Sequence, residues 1–224
     1  MRRWLDSLLE LVAPSRCAAC DAVSRATWCA GCGQPSAAFL GTLPDSSLPL
    51  RAGGVYAGSL AQAIRRFKYE PRPELARTLA AWLAPRLGPL QGSGCVWVPV
   101  PLHPSRLAER GFNQSALLGR RLAALLGGRV APQLLARQRD TAQQAVLAAP
   151  ERAHNLRASM RVQGVASEPI LLVDDVVTSG ATARACADAL HDAGLCVRGV
   201  VALAATQRTE RTAARNGAGA TKSV

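Results

Sequence analysis

The stretch Ile170-Leu171-Leu172-Val173-Asp174-Asp175-Val176-Val177-Thr178-Ser179-Gly180-Ala181-Thr182 decides the fold. Pro169–Val173 (PILLV) is a short, fully apolar run and reads as a buried strand. It gives way abruptly to Asp174 and Asp175. Small, hydroxylated residues around Gly180 follow, leading into a helix expected over Ala181–Ala193 and closed by Gly194. A buried strand that feeds a helix through a short turn belongs to a parallel sheet, and the carboxyl end of such a sheet is where ligands bind.

The chemistry of that end can be read from residue types. A helix start presents unpaired N–H groups and the positive end of the helix dipole, which together attract a phosphate. Thr178, Ser179 and Thr182 add hydroxyl donors, and Gly180 lets the backbone approach closely. Two carboxylates would repel a bare phosphate, but they are strong acceptors for ribose hydroxyls. The combination reads as a ribose 5-phosphate site. The blander alternative is a strand whose polar end merely caps the next helix, and it accounts for fewer of these features.

Working outward, Cys95–Val100 (CVWVPV) and Cys196–Ala205 are further apolar strands. A short strand is expected at 51–57 and another at Arg129–Leu135. Helices are expected over Gly58–Tyr69, Glu74–Leu87 and Asn113–Leu126, the last stopped by Gly127 and Gly128. Strands that alternate with helices predict an α/β domain with a mostly parallel sheet and flanking helices. Residues 101–112 (PLHPSRLAERGF) read as a loop. Prolines stiffen it, and Arg106 and Arg110 with His103 suit a diphosphate. A proline-rich turn with surface arginines explains the same residues equally well.

Cys17-x-x-Cys20 and Cys29-x-x-Cys32 form two knuckles suited to a closed, structural, tetrahedral zinc site. A disulfide pair or a redox Cys-x-x-Cys is the alternative, and it is disfavoured where cysteines stay reduced. Cys95, Cys186 and Cys196 are expected in the core, and His154 and His191 on the surface. Met1–Pro14 has helical apolar spacing interrupted by Asp6 and Glu10, which reads as a short amphipathic helix and not as a secretory signal. No apolar run approaches the roughly 20 residues needed to span a bilayer, so a cytoplasmic chain without a transmembrane segment is expected. The net charge of +12 is carried almost wholly by arginine, with lysine only at positions 68 and 222. It favours anionic partners without specifying one.

The string Val98-Pro99-Val100-Pro101-Leu102-His103-Pro104-Ser105-Arg106, followed by Arg110-Gly111-Phe112-Asn113-Gln114, is more specific. Tyr56, Gly58, Ile64, Phe67, Lys68 and Tyr69 precede it. Arg137, Thr141, Gln144, Arg152, Asn155 and the Asp-Asp segment follow. Together these resemble the ComF family (ComFC- and GntX-like proteins) over about residues 14–206.

The resemblance implies a type I phosphoribosyltransferase-like fold and a phosphoribosyl pyrophosphate motif. Asp174 and Asp175 would then contact the ribose 2′- and 3′-hydroxyls as the catalytic pair. Thr178, Ser179, Gly180, Ala181 and Thr182 would wrap the 5′-phosphate. Pro99, Val100, Pro101, Arg106 and Arg137 would line the pyrophosphate side, with Mg2+ accompanying the diphosphate, and Arg137–Asn155 would be a mobile loop over it. The cysteines would hold structural Zn2+. The implied organisation is an amphipathic helix and zinc module at 1–35, a linker at 36–50, a phosphoribosyltransferase-like domain at 51–206 and a disordered tail at 207–224. The implied role is natural transformation, in which single-stranded DNA is handled during uptake together with competence and recombination proteins. An active phosphoribosyltransferase of unknown acceptor, releasing pyrophosphate, is the other reading.

Overall fold

The computed structural model describes residues 15–70, 72–88, 94–138 and 157–206. The helix expected at Met1–Pro14, residues 139–156 of the expected mobile loop (with Thr141, Gln144, Arg152, His154 and Asn155) and the tail at 207–224 lie outside the described residues.

The chain runs β1 (Phe39–Thr42), β2 (Pro49–Ala52), α1 (Gly58–Tyr69), α2 (Leu75–Leu83), a 3-10 turn at Ala84–Arg86, and β3 (Val96–Pro99). It continues through α3 (Pro104–Arg110), α4 (Gln114–Leu126), β4 (Arg129–Val130), β5 (Leu135–Arg137) and β6 (Met160–Val162). It closes with β7 (Ile170–Val177), α5 (Ala181–Asp192) and β8 (Val197–Ala205). The main sheet has the order β1-β2-β8-β7-β3-β4. Only the β1–β2 pair is antiparallel; β2, β8, β7, β3 and β4 run parallel. β5 and β6 form a separate antiparallel pair.

The sheet separates two cores, and the alternation of strand side chains assigns each residue to one of them. Leu171 and Val173 of β7, Trp97 of β3 and Val201 of β8 pack with Ile64 and Phe67 of α1, Leu79 of α2, and Leu118 and Leu122 of α4. Ile170 and Leu172, Val96 and Val98, and Val200 and Ala202 face the other way, against Cys186 and Leu190 of α5 and Met160 of β6. β7 is therefore enclosed on both faces and paired on both edges over Ile170–Val173, and β8 alone carries its pairing on to Val177.

Six expectations need correction. The strand expected at 51–57 runs instead over Pro49–Ala52, and the one expected over Arg129–Leu135 is two short strands, Arg129–Val130 and Leu135–Arg137, in different sheets. β7 does not stop at Val173; it carries Asp174 and Asp175 inside it, because β8 continues to pair as far as Val177↔Ala205. Residues 101–112 are not all loop: Pro104–Arg110 is helical, with Pro at its first turn and Gly111 closing it at φ 75°. Residues 36–50 are more than a linker, since they supply β1 and a buried Leu43. Cys196 lies exposed, while Cys95 and Cys186 are buried as expected.

Candidate functional site

At the carboxyl end of β7 the chain turns through Thr178–Gly180 into α5. Gly180 has φ +73°, and a Cβ there would come within 3.0 Å of Pro44 Cδ and 3.1 Å of Leu43 Cδ1. Glycine is thus required twice, by backbone conformation and by the β1–β2 loop lying against it. Arg184 of α5 fastens that loop: its guanidinium donates to the Pro44 carbonyl and, at 3.2 Å, to the Ser179 carbonyl. Among the described residues no hydrogen bond engages the amides of Ser179, Gly180 or Thr182. The Ala181 amide reaches only the neighbouring Ser179 hydroxyl, at 3.4 Å. Asp174, Val176, Val177, Thr178–Thr182 and Ala183 line a cavity of about 30 Å³ here. That is room for a small polar group and not for a whole nucleotide. The remainder of any larger ligand would lie on the open end of the sheet.

The two acids have different surroundings. Asp175 is 7% exposed and its Oδ1 sits 2.8 Å from Lys68 Nζ of α1. Asp174 lines the cavity, and its Oδ1 accepts from the Asp175 amide at 2.8 Å and from the Ser115 hydroxyl of α4 at 3.3 Å. Burial, and then repulsion by Asp175, push the Asp174 carboxyl up to about 7; the Asp175 amide, Lys68 and Ser115 oppose the rise.

Behind Lys68, the family-like motifs form one support. Arg110 stacks over the Tyr69 ring at 5.0 Å and donates to Gln114 Oε1 at 3.3 Å. Gln114 is fully buried and its amide points to the Lys68 carbonyl at 3.5 Å. Phe67 and Phe112 pack with ring centroids 6.1 Å apart, and the Asn113 side chain donates to the Val100 carbonyl at 3.1 Å. From sequence, Lys68 stands only in the family-like string, with no site role, and Ser115 stands in neither the string nor the site. The available signal was that lysine occurs only at 68 and 222 in a chain rich in arginine.

Of the second wall, Pro99 lies opposite Val173, and Val100 donates its amide to the Val173 carbonyl at 2.8 Å. Pro99, Val100 and Pro101 therefore run beside the start of the acidic pair. Arg106 is exposed on α3, a helix with no buried residue. Arg137 ends β5 half-buried, on the α5 side of the sheet, near enough to Cys186 for its charge to be felt there.

The four cysteines converge. Their Sγ atoms all lie within 4.8 Å of one another, and Cys20 and Cys29 are 3.6 Å apart. Tetrahedral zinc–thiolate bonds of about 2.3 Å put sulfurs roughly 3.8 Å apart, so the set fits a metal such as zinc. Burial opposes ionisation of Cys17, but the amides of Cys20, Cys29 and Ala19 outweigh it and hold that thiol down at about 6. Hydrogen bonds that the Cys32 thiol donates to Cys20 and Cys29 favour its protonated form and push it up to about 12. Four sulfurs that share protons this unevenly suit a bound cation, which would take all of them as thiolates.

The module is fixed to the domain by Arg66 of α1. Arg66 donates to the carbonyls of Cys17 and Ala18, each at 3.3 Å, and pairs with Asp21 at 3.1 Å. Arg72, and then Arg66, hold the Asp21 carboxyl below its usual range. Trp28 packs edge-on against Trp82 of α2, with centroids 5.3 Å apart. Two larger cavities, of about 550 and 620 Å³, flank this module and not the acidic pair.

The architecture defines a class: a mixed α/β protein with a mostly parallel central sheet and a four-cysteine cluster able to hold a metal. Within that class, the chain is a homologue of proteins named DNA utilization protein YhgH and Competence protein F. It is 36% identical over 133 residues to YhgH of Salmonella typhimurium LT2, covering 57% of this chain and 59% of that one. It is 37% identical over 134 residues to YhgH of Escherichia coli K12, with the same coverage. It is 31% identical over 152 residues to Competence protein F of Haemophilus influenzae Rd, covering 63% of this chain and 66% of the relative. The matches thus span about three-fifths to two-thirds of these relatives. The resemblance to the ComF family read from the sequence is borne out by them and by the cysteine cluster. No family model matches. Among solved structures, TT1426 from Thermus thermophilus aligns at 18% identity over 62% of this chain and 87% of that one, with a TM-score of 0.33. Among the described residues no helix is long and apolar enough to cross a membrane.

Proposed function

We propose that the chain binds phosphoribosyl pyrophosphate, or a closely related phosphorylated ribose, at the turn from β7 to α5, and that it uses this pocket in DNA utilisation in the cytoplasm. The observation that carries the reading is the set of uncommitted amides at Ser179, Gly180 and Thr182 beside the Asp174 carboxylate. Amides and hydroxyls at a helix start suit the 5′-phosphate, with each charge-assisted bond contributing roughly 1.5–3 kcal/mol. The acidic pair suits the two ring hydroxyls. The Pro99–Pro101 turn, with Arg106 and Arg137, would face the pyrophosphate, and the sheet would be of the type I phosphoribosyltransferase kind. Magnesium, when bound, would neutralise charge on the diphosphate. Zinc in the cysteine cluster would be structural, because four cysteine ligands leave no open position.

The role in DNA uptake rests on the names of the relatives together with the net charge of +12. Partners would be single-stranded DNA, held through its phosphates, and competence or recombination proteins. Calorimetry with phosphoribosyl pyrophosphate and magnesium tests the pocket: binding is expected for the wild type and is expected to disappear in the double variant Asp174→Asn/Asp175→Asn. Wild-type silence would end the pocket reading. Pyrophosphate release with a panel of bases decides whether the pocket also turns over as a phosphoribosyltransferase. Affinity for single-stranded DNA should fall steeply with salt, and a flat salt dependence would remove the DNA role.

A further inference from the structure

The acidic pair poses an electrostatic problem that its own strand does not solve. Asp174 and Asp175 are adjacent and largely withdrawn from water, and two ionised carboxylates at that separation disfavour each other. A pair that recognised a diol only after losing its last proton would work poorly at neutral pH. The element that answers this lies far upstream in sequence, on helix α1. Lys68 Nζ meets Asp175 Oδ1 at 2.8 Å, with the two side chains 20% and 10% exposed.

Lys68 is also held in place by more than this ion pair. Its carbonyl receives the Gln114 amide, Gln114 receives Arg110, and Arg110 covers Tyr69, the residue after Lys68. Ser115, the residue after Gln114, reaches Asp174. The same two segments, 67–69 and 110–115, therefore touch both acids.

We propose that Lys68 is a positioning residue for the acidic pair, its ammonium clamping Asp175 so that the two carboxylates stay available as acceptors for the vicinal hydroxyls of a ribose phosphate at neutral pH. This rests on the ribose phosphate reading of the pocket. The groups that face the pair are Lys68 from α1 and Ser115 from α4, with Cys186 from α5 near enough to feel Asp174 and Arg137 from β5 near Cys186 in turn. Among the described residues Lys68 is the cation in direct contact with the pair, and its charge pulls the Asp174 titration down. Without it, the pair keeps its proton to higher pH.

The test has two arms. In the first, the aspartate carboxyl carbons are titrated by NMR without ligand in the wild type, Lys68→Met and Lys68→Arg, with Lys68→Gln replacing the Met variant should that one not fold. The midpoint is expected to rise by about one pH unit in the Met variant and to stay near the wild-type value in the Arg variant, because charge sets it. In the second, ribose 5-phosphate binding is followed from pH 5.5 to 8.5. Its own phosphate titration is common to all variants and cancels. Below the midpoint the Met variant should bind about tenfold more weakly, with the gap closing at high pH. An unchanged carboxyl midpoint in the Met variant would overturn the proposal and leave Lys68 a structural residue. So would a binding gap that does not change with pH. Failure of the wild type to bind ribose 5-phosphate at any pH would instead overturn the pocket reading, and the ligand-free arm keeps the two failures apart.

Discussion

The cysteine module and the β7–α5 turn are the two chemically loaded parts of the molecule, and they are held together by different means. Residues 15–35 contain no named helix or strand, only the isolated bridge Arg16↔Val23. Their order comes from four converging thiols and from buried Cys17, Ala18, Ala19 and Trp28 packed on the neighbouring helices. The turn instead leaves an eight-residue strand that is buried on both faces over its first half and paired with β8 along its length. A metal held by the cysteines would add most of the first region's order, whereas strand pairing and packing alone build the second. A perturbation of the first should stay local, and ligand chemistry at the second should alter affinity more than architecture.

The largest effect should come from removing the metal. Structural zinc sites of this kind supply about 10–16 kcal/mol of apparent binding energy at neutral pH. The chain is expected to carry one zinc, and a strong chelator or Cys20→Ser should disorder the module. Trp28, 4% exposed and stacked edge-on against Trp82, is the natural reporter through a red-shifted emission. Hydrogen exchange should show β7 and β8 still protected. If those strands lose protection along with the module, the two regions form one cooperative unit and the contrast drawn above is wrong.

Next in size is the stability cost of Asp174. Its carboxyl, raised from the ordinary 3.8 to about 7, binds its proton more tightly in the folded chain than in the unfolded one. The group's contribution to stability is therefore fully present below about pH 4 and is lost as pH rises through 7. Asparagine stays neutral and still offers an oxygen to the Asp175 amide and to Ser115. Asp174→Asn should match the wild type at pH 4 and exceed it at pH 8 by on the order of a few kcal/mol in urea unfolding. Equal stability at both pH values would show that the wild-type carboxylate is well solvated, and would weaken the case for a tuned pair.

What the sequence could convey divides along the same line. α1 has the ends expected of it, Gly58 and Tyr69, because its apolar residues Leu60, Ile64 and Phe67 repeat at helical spacing and are all buried. The four cysteines were legible from spacing alone. The extent of β7 was not: Asp174 and Asp175 look like a strand end until β8 is seen to continue beside them and Lys68 to meet Asp175. Both facts are long-range, and local polarity argues against them. α3 was missed for the opposite reason. None of its residues is buried, so it has no apolar period, although Pro104 and Gly111 punctuate it correctly. Cys196 follows the same logic from the other side: an apolar neighbourhood in sequence suggested the core, yet the residue is exposed just before β8 begins. The roles expected of Asp174 to Thr182 came from local chemistry, whereas Lys68 and Ser115 emerge only once the chain is folded.

A smaller effect is expected at Gly180. Alanine at φ +73° costs about 1–2 kcal/mol, and its Cβ would press on Pro44 at 3.0 Å and on Leu43 at 3.1 Å. Gly180→Ala should lower the thermal midpoint modestly and shift the β1–β2 loop. It should weaken ribose 5-phosphate binding while leaving the Asp174 titration where it was, since neither Lys68 nor Ser115 touches this turn. A variant that binds normally would mean that the amides of 179–182 are not the phosphate cradle.

The smallest effect should come from a place where sequence and structure agree that little depends on the contact. Arg129 of β4, at the far edge of the sheet, forms a two-pronged pair with Glu168 at 2.8 and 2.9 Å. Arg129 holds the Glu168 carboxyl down at about 2, a lowered acid whose contribution is present above its ordinary 4.5 and is lost as pH falls toward 2. On geometry alone this is as good a pair as Lys68 with Asp175. Both partners are open to water, though, with side chains 49% and 36% exposed, and water replaces what either loses. Arg129→Ala should therefore leave the thermal midpoint within error at pH 7 and ligand binding unchanged at every pH. A clear loss would mean that exposed pairs carry weight in this arginine-rich chain. The distinction between a half-buried lysine that tunes a site and surface arginines that only solvate the fold would then have to be abandoned.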